Sequence, residues 1–298
     1  MKEKSTSAVI CEQIAKRTPI PKGKNIQEVI MRFRKYRGNK NKYDLPIFMK
    51  IRDNVEGITS HDLQLFYMNV ESNSNKLIIY LHGGSYIDEL LPFHWLMLNK
   101  MTDCIDSAFI IPDYPLAPHA TFLECYDKLT AFYRKVLQYY QDKEIILMGD
   151  SAGGGLALGL AQYWSTINLK VPDKLILLSP WVDLEMNNPD IKGFIKVDPT
   201  LNLGSLAVTA RHWAGNYPLS DYRLSPINGD LKVLKDVTLF VGTHEIFYPD
   251  VTKLHDLLEK NGVKSRLFIG QGLNHVYPAF PIPEANEAIE EIRKIIFE

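Results

Sequence analysis

Cysteine is scarce. The 298 residues contain three, Cys11, Cys104 and Cys125; the number is odd and none forms a C-x-x-C pair, which excludes a disulfide framework and a paired-cysteine zinc site. A reducing, cytoplasmic setting is the expectation. An excess of one charge is also missing: 34 Lys and Arg face 35 Asp and Glu, a formal net charge of −1. That excludes a nucleic-acid binder built on global charge. No stretch approaches the roughly 20 consecutive apolar residues of a membrane span. Ahead of Cys11 the only apolar run is Ala8, Val9 and Ile10, far short of a signal peptide's apolar region. Neither a nucleic-acid partner nor stable membrane insertion is expected. Internal repeats and low-complexity tracts are absent too.

What is present is an ordinary globular composition, 46% hydrophobic and 23% charged, in a chain long enough to bury roughly three quarters of its unfolded surface. The near-neutral total conceals a split. Residues 1–42 hold 12 Lys and Arg against 3 Asp and Glu, which leaves the other 256 residues at −10. Within the basic segment, Asn25 as N-cap, Glu28 three residues on and the spacing of Ile26, Val29, Ile30 and Phe33 predict a helix that stops at Gly38.

From about residue 43 short apolar runs alternate with helical stretches. Segments 76–81, 107–111, 144–148, 174–178, 237–241 and 265–269 read as buried strands, and 61–70 as an antiparallel strand at the start of the sheet. Helices are expected near 93–103, 121–141, 153–167, 251–261 and 284–297. Continuous rather than alternating apolar strands point to a mostly parallel, doubly wound α/β sheet covered on both faces. Two stretches stand outside this alternation: the basic N-terminus, and about 183–222, where prolines and glycines punctuate short helical pieces.

Gly149-Asp150-Ser151-Ala152-Gly153 is a G-x-S-x-G between the strand 144–148 and an apolar helix, the context in which a serine is held on a tight turn at the edge of a sheet. His82-Gly83-Gly84-Ser85 follows the first parallel strand, and adjacent glycines let backbone N–H groups turn toward a developing oxyanion. Ser151 needs a base of pKa near 7. His275, in the polar loop Gly270-Gln-Gly-Leu-Asn-His275 after the last strand, is the best placed of eight histidines. His82 should brace its own loop, and the remaining six, His94 among them, read mostly as surface or cap. The acid that orients His275 should follow the penultimate strand; Glu245 is preferred and Asp250 is the alternative.

Together these residues resemble the hormone-sensitive-lipase-like branch of the α/β-hydrolases, the bacterial carboxylesterases of lipolytic family IV. His82-Gly-Gly84, Asp113-Tyr-Pro-Leu-Ala-Pro118, Gly149-Asp-Ser-Ala-Gly-Gly154 and Ser179-Pro-Trp-Val-Asp-Leu184 are each similar to a motif of that branch, from about residue 76 to the end. The resemblance implies Ser151 as nucleophile, His275 as base, and oxyanion donors among the N–H groups of Gly83, Gly84, Ser85 and Ala152. Two departures stand out: Ser85 replaces a third glycine, and Glu245-Ile-Phe-Tyr-Pro replaces the usual acid segment, putting Glu245 at the aspartate's position.

The resemblance further implies a catalytic core of 43–182 and 223–298 under a discontinuous helical cap of 1–42 and 183–222. Tyr86, Trp213 and Phe33 are then candidate walls of the substrate pocket. No cofactor or metal is expected, the partner is a small-molecule ester, and homodimerisation through a strand or helix edge is common in the branch. The implied activity is hydrolysis of short acyl esters through an acyl-enzyme. Two rivals share the motifs: an arylformamidase-like amide or formamide hydrolase, and a receptor-like protein of this fold that binds small molecules without turning them over.

Overall fold

A computed structural model describes residues 4–17, 43–50, 55–60 and 63–298. Its centre is an eight-stranded sheet of β1 (Val55–Ser60), β2 (Leu63–Met68), β3 (Lys76–Leu81), β4 (Ala108–Asp113), β5 (Glu144–Asp150), β6 (Lys174–Leu178), β7 (Asp236–His244) and β8 (Lys264–Asn274), in spatial order β1-β2-β4-β3-β5-β6-β7-β8. The β1–β2 and β2–β4 pairs are antiparallel and all others parallel. Helices are α1 (Thr6–Arg17), α2 (Ile47–Lys50), α3 (Pro92–Cys104), α4 (Phe122–Tyr139), α5 (Ser151–Thr166), α6 (Leu203–Ala214), α7 (Tyr248–Lys260) and α8 (Pro283–Phe297).

Successive strand residues point to opposite faces, and here both faces are apolar. Leu77 and Ile79, Ile145 and Leu147, Leu175 and Leu177, with Leu239, share one apolar cluster with residues of α4, α5, α6 and α7. Their neighbours Ile78 and Tyr80, Ile146 and Met148, Ile176 and Leu178, with Phe240, pack under α3 and α8. Such two-sided burial produces the continuous apolar runs read in the sequence. α4 offers Phe122, Cys125, Tyr126, Leu129, Phe132, Tyr133 and Val136 at helical spacing, one stripe facing the sheet. α5 is enclosed nearly all round: every residue from Ser151 to Gln162 is buried.

Two elements carry no comparable signal. β1 reads Val-Glu-Gly-Ile-Thr-Ser and lies at the sheet edge beside β2, and Ile58 is 50% exposed, so no buried period marks it. α1 buries Ala8, Glu12 and Ala15, small or charged side chains rather than an apolar stripe. Ser5 N–H and Oγ both donate to Glu284, and Lys4 and Lys16 pair with Glu12, which seats α1 against α8 and β8. The helix expected from Ile26 to Gly38, and Phe33 with it, lies outside the described residues. Among the described residues no helix is long and apolar enough to cross a membrane.

Register brings the loops that matter to one edge. Leu81 pairs with Gly149, Asp150 with Leu178, and Leu178 with Phe240, so the segments leaving β3, β5, β6 and β7 emerge side by side at the C-terminal end of the sheet, where α/β folds place their sites. β8 continues past a register shift between Gly242 and His244 as far as Asn274, which delivers His275 to the same edge.

Candidate active site

The turn from β5 into α5 holds Ser151 at φ +50°, a left-handed conformation that costs a non-glycine residue roughly 1–3 kcal/mol and persists only where the surroundings enforce it. Close packing enforces it here. A Cβ on Gly153 would lie 2.1 Å from the Leu81 carbonyl oxygen and 2.3 Å from that of His82, so only glycine lets α5 start this close to the end of β3. The N–H groups of the first turn of α5, Ala152 included, have no acceptor within the helix, and the helix dipole favours negative charge there.

Three side chains join at this edge into one hydrogen-bonded chain. Ser151 Oγ lies 2.8 Å from His275 Nε2, and His275 Nδ1 bonds Glu245 Oε2. Glu245 is fully buried. Its other oxygen, Oε1, accepts from Ser179 Oγ at 2.7 Å and from the Gly242 N–H at 2.8 Å. Ser179 Oγ in turn accepts from the Val276 N–H at 3.0 Å, so one hydroxyl ties the acid to the backbone just after the histidine. With Nδ1–H donated to the carboxylate, Nε2 is left as an acceptor for the serine proton. Burial pushes the His275 pKa down, but Glu245, with contributions from Asp198 and Asp150, outweighs it and the net shift is upward.

The loop after β3 lies over the serine. Gly84, Ser85 and Tyr86 have φ of +118°, +53° and +62°, a left-handed succession that Ser85 and Tyr86 keep only where the surroundings enforce it. Gly84 has no room for a side chain, since a Cβ would meet the Asp88 carbonyl oxygen at 2.7 Å. Gly83 differs from the expectation that grouped it with the oxyanion donors. Its N–H donates to Asp150 Oδ1 at 2.8 Å, so that donor is committed to holding the loop, and the N–H groups to consider are those of Gly84, Ser85 and Ala152.

Asp150 is the hub of this arrangement. It is 1% exposed and accepts from Tyr80 Oη, from Gly83 and, at 3.3 Å, from His94 Nε2. Burial alone would raise its pKa, yet His94, Tyr80 and Gly83 together bring it below the usual value. His94, expected as a surface or cap residue, is fully buried and does cap α3: its Nδ1 accepts from the N–H of the N-cap residue Leu91, which directs Nε2–H at Asp150. His82 does brace its loop: Nδ1 lies 2.7 Å from the Gly83 carbonyl and the ring stacks on Tyr114. Burial, reinforced by His94, lowers its pKa to about 3, so His82 is neutral at physiological pH.

Asp250, the alternative acid, is not part of the chain to His275. It is 2% exposed at the start of α7, where Oδ1 accepts from Asn188 Nδ2 at 2.7 Å. Tyr86 and Trp213, expected as pocket walls, are 2% and 1% exposed and stack on each other with centroids 4.5 Å apart. Tyr86 also stacks on Trp181, Trp181 on Phe247, and Phe247 meets the His275 ring edge-on at 5.1 Å. As walls these two offer packing behind the site rather than open faces, a correction that follows from their burial. Residues not singled out from sequence include Ser179, the bonding role of Asp150, Phe247 and Asp198, whose Oδ2 accepts from the Ile246 N–H. Among the described residues, no group of three His, Cys, Asp or Glu could hold a metal ion.

Comparison with known proteins identifies the fold and the family. A family model described as alpha/beta hydrolase fold matches residues 78–279. An esterase of Acinetobacter venetianus is 28% identical over 229 residues, 76% of each chain, and an acetyl-hydrolase of Streptomyces hygroscopicus is 28% identical over 219 residues, 72% of this chain and 73% of its own. Among solved structures, one from Staphylococcus aureus has a TM-score of 0.87 at 30% identity, covering 92% of this chain and 94% of that one. An esterase/lipase from an uncultured bacterium has a TM-score of 0.83 at 27% identity, covering 98% of both. The matched span runs from β3 through His275 and includes every residue of the hydrogen-bonded chain: this protein belongs to the α/β-hydrolase family.

Proposed function

We propose that this protein is a serine carboxylesterase that hydrolyses short-chain acyl esters through an acyl-enzyme. The observation that carries the reading is the continuous bond path from Ser151 through His275 to the buried Glu245. His275 takes the proton of Ser151 as the hydroxyl oxygen attacks the ester carbonyl. The negative oxygen that forms is met by N–H groups of Gly84, Ser85 and Ala152. His275 then returns the proton to the departing alcohol, and later accepts one from the water that releases the acid. Glu245 stays ionised and keeps the imidazole in the required tautomer. Relatives named esterase and acetyl-hydrolase support the ester as substrate class. His275 at hydrogen-bond distance from Ser151 weighs against the receptor-like alternative, in which the serine would have no base. Residues 43–182 and 223–298 form the catalytic core in this reading, with 1–42 and 183–222 as a cap, in a cytoplasmic enzyme whose three cysteines stay free.

Fluorophosphonate labelling and p-nitrophenyl acetate hydrolysis test it. Wild type should be labelled at Ser151, and Ser151→Ala should lose both properties. Glu245→Gln should lower kcat by about 100- to 10,000-fold, whereas Asp250→Asn should leave kcat near wild type. Full activity in Ser151→Ala would end this reading. An N-formyl amide assayed in parallel separates amide from ester preference.

A further inference from the structure

The insertion between β6 and β7 reaches the acid loop through Asp198. This carboxylate is 7% exposed. Its Oδ1 accepts from the Thr200 N–H at 2.8 Å, Thr200 Oγ1 at 3.0 Å and the Leu201 N–H at 2.8 Å. Those three bonds fix the carboxylate within its own loop. Its Oδ2 is aimed at the Ile246 N–H, 2.9 Å away, one residue beyond Glu245. We infer that Asp198 is a positioning residue of the reaction, which anchors the acid loop beside Glu245 and supplies a second fixed negative charge toward His275. The inference rests on the reading of Ser151, His275 and Glu245 as nucleophile, base and acid.

Three carboxylates act on His275: Glu245 from the loop after β7, Asp198 from the insertion and Asp150 from the β5–α5 turn. Tyr277, on the turn that follows, is held neutral because burial, with Glu245 beside it, raises its pKa. Asp150 is engaged by Tyr80, Gly83 and His94 at the start of α5. Among the described residues Asp198 is held by three backbone N–H groups and one hydroxyl, so its carboxylate is fixed in place to favour the imidazolium that forms as Ser151 is deprotonated. By this route the insertion bears on the basicity of His275 as well as on the shape of the site.

Asp198→Asn keeps the size and one acceptor but removes the charge; Thr200→Val removes one donor to Oδ1 and leaves the charge. Both are compared with wild type in kcat/KM and kcat on p-nitrophenyl acetate from pH 5 to 9, with melting curves to establish folding. For Asp198→Asn the acid-side midpoint should fall by about 0.5 to 1 pH unit and kcat by roughly tenfold. Thr200→Val should keep the wild-type midpoint and lose roughly threefold in kcat. If Asp198→Asn shows the wild-type midpoint and a kcat within twofold of wild type, while only its melting temperature drops, Asp198 is structural and the inference is overturned. Should Asp198→Asn fail to fold, Thr200→Val decides: lowered kcat at a fixed midpoint supports the inference, and unchanged kcat overturns it. Fluorophosphonate labelling of wild type separates the two levels. No label on Ser151 sinks the underlying reading; a labelled enzyme with coincident Asp198→Asn and wild-type profiles sinks the role of Asp198 alone.

Discussion

Replacing Asp250 with Asn should stabilise the protein, and increasingly so as pH rises. Asp250 is 2% exposed; burial is the main cause that raises its pKa from 3.8 to about 6, Asp183 adds to it, and Asn188 and Lys253 only partly oppose it. Its Oδ2 has no hydrogen-bond partner among the described residues. An acid whose folded pKa lies above its unfolded one favours the fold while protonated; that contribution is complete below about 4 and lost as pH climbs through about 6. Above that window the folded state carries an ionisation penalty of about 3 kcal/mol, two units at about 1.4 kcal/mol each. Roughly half of it is already in place at pH 5, so the advantage of Asp250→Asn over wild type should grow by about 1.4 kcal/mol between pH 5 and pH 8. Urea unfolding of both proteins at the two pH values reads this change directly, because titrations they share cancel in the difference. In thermal melts the same change is about 3 °C. An advantage that stays constant or shrinks from pH 5 to pH 8 would refute the reasoning, and would mean that Asp250 ionises inside the fold as easily as in water.

Other outcomes follow from the same geometry. Gly84→Ala, with its Cβ directed at the Asp88 carbonyl, should displace the loop's N–H groups and lower kcat by about 100-fold or more with a smaller effect on KM; a kcat within twofold of wild type would exclude this loop from oxyanion stabilisation. Trp213→Ala empties a nearly fully buried site and should cost about 3–5 kcal/mol in urea unfolding. The acid limb of kcat/KM should have its midpoint above the ordinary histidine value of 6.5, because His275 must be neutral to act and its pKa is raised; rates measured from pH 5 to 9 check this, and Glu245→Gln should move the midpoint down.

Most of the parallel sheet was legible because β3, β5, β6 and most of β4 and β7 are buried on both sides and therefore written as uninterrupted apolar runs, whereas β8 at the edge is largely exposed or half-buried and shows only Leu267, Phe268 and Ile269 in a row. Ser151 and His275 were legible because a strained turn after a strand and a glycine-rich loop after the last strand leave few residues that can serve. The acid was a choice between Glu245 and Asp250, five positions apart; sequence distance cannot say which carboxylate faces the histidine, whereas the bond between His275 Nδ1 and Glu245 Oε2 does. Gly83 was grouped with the other loop donors because its commitment to Asp150 depends on packing between two strand ends 67 residues apart. Tyr86 and Trp213 were expected as pocket walls and are buried rings, because aromatic side chains carry no mark that separates a stacked interior ring from an exposed wall. α1 and β1 escaped notice because one buries small and charged side chains and the other buries few.

The run of rings from Trp213 through Tyr86, Trp181 and Phe247 to His275 bears on how the insertion can be exchanged between relatives. Cutting at residues 183 and 222 would look like a clean module swap, since both ends lie in irregular chain. It would nevertheless exchange Trp213 while leaving Tyr86, Trp181 and Phe247 behind, so a graft lacking a flat ring at that position leaves the remaining stack uncovered on one side. A chimera that keeps the orientation of His275 therefore has to carry the stack as a unit, drawn from four separate stretches of sequence.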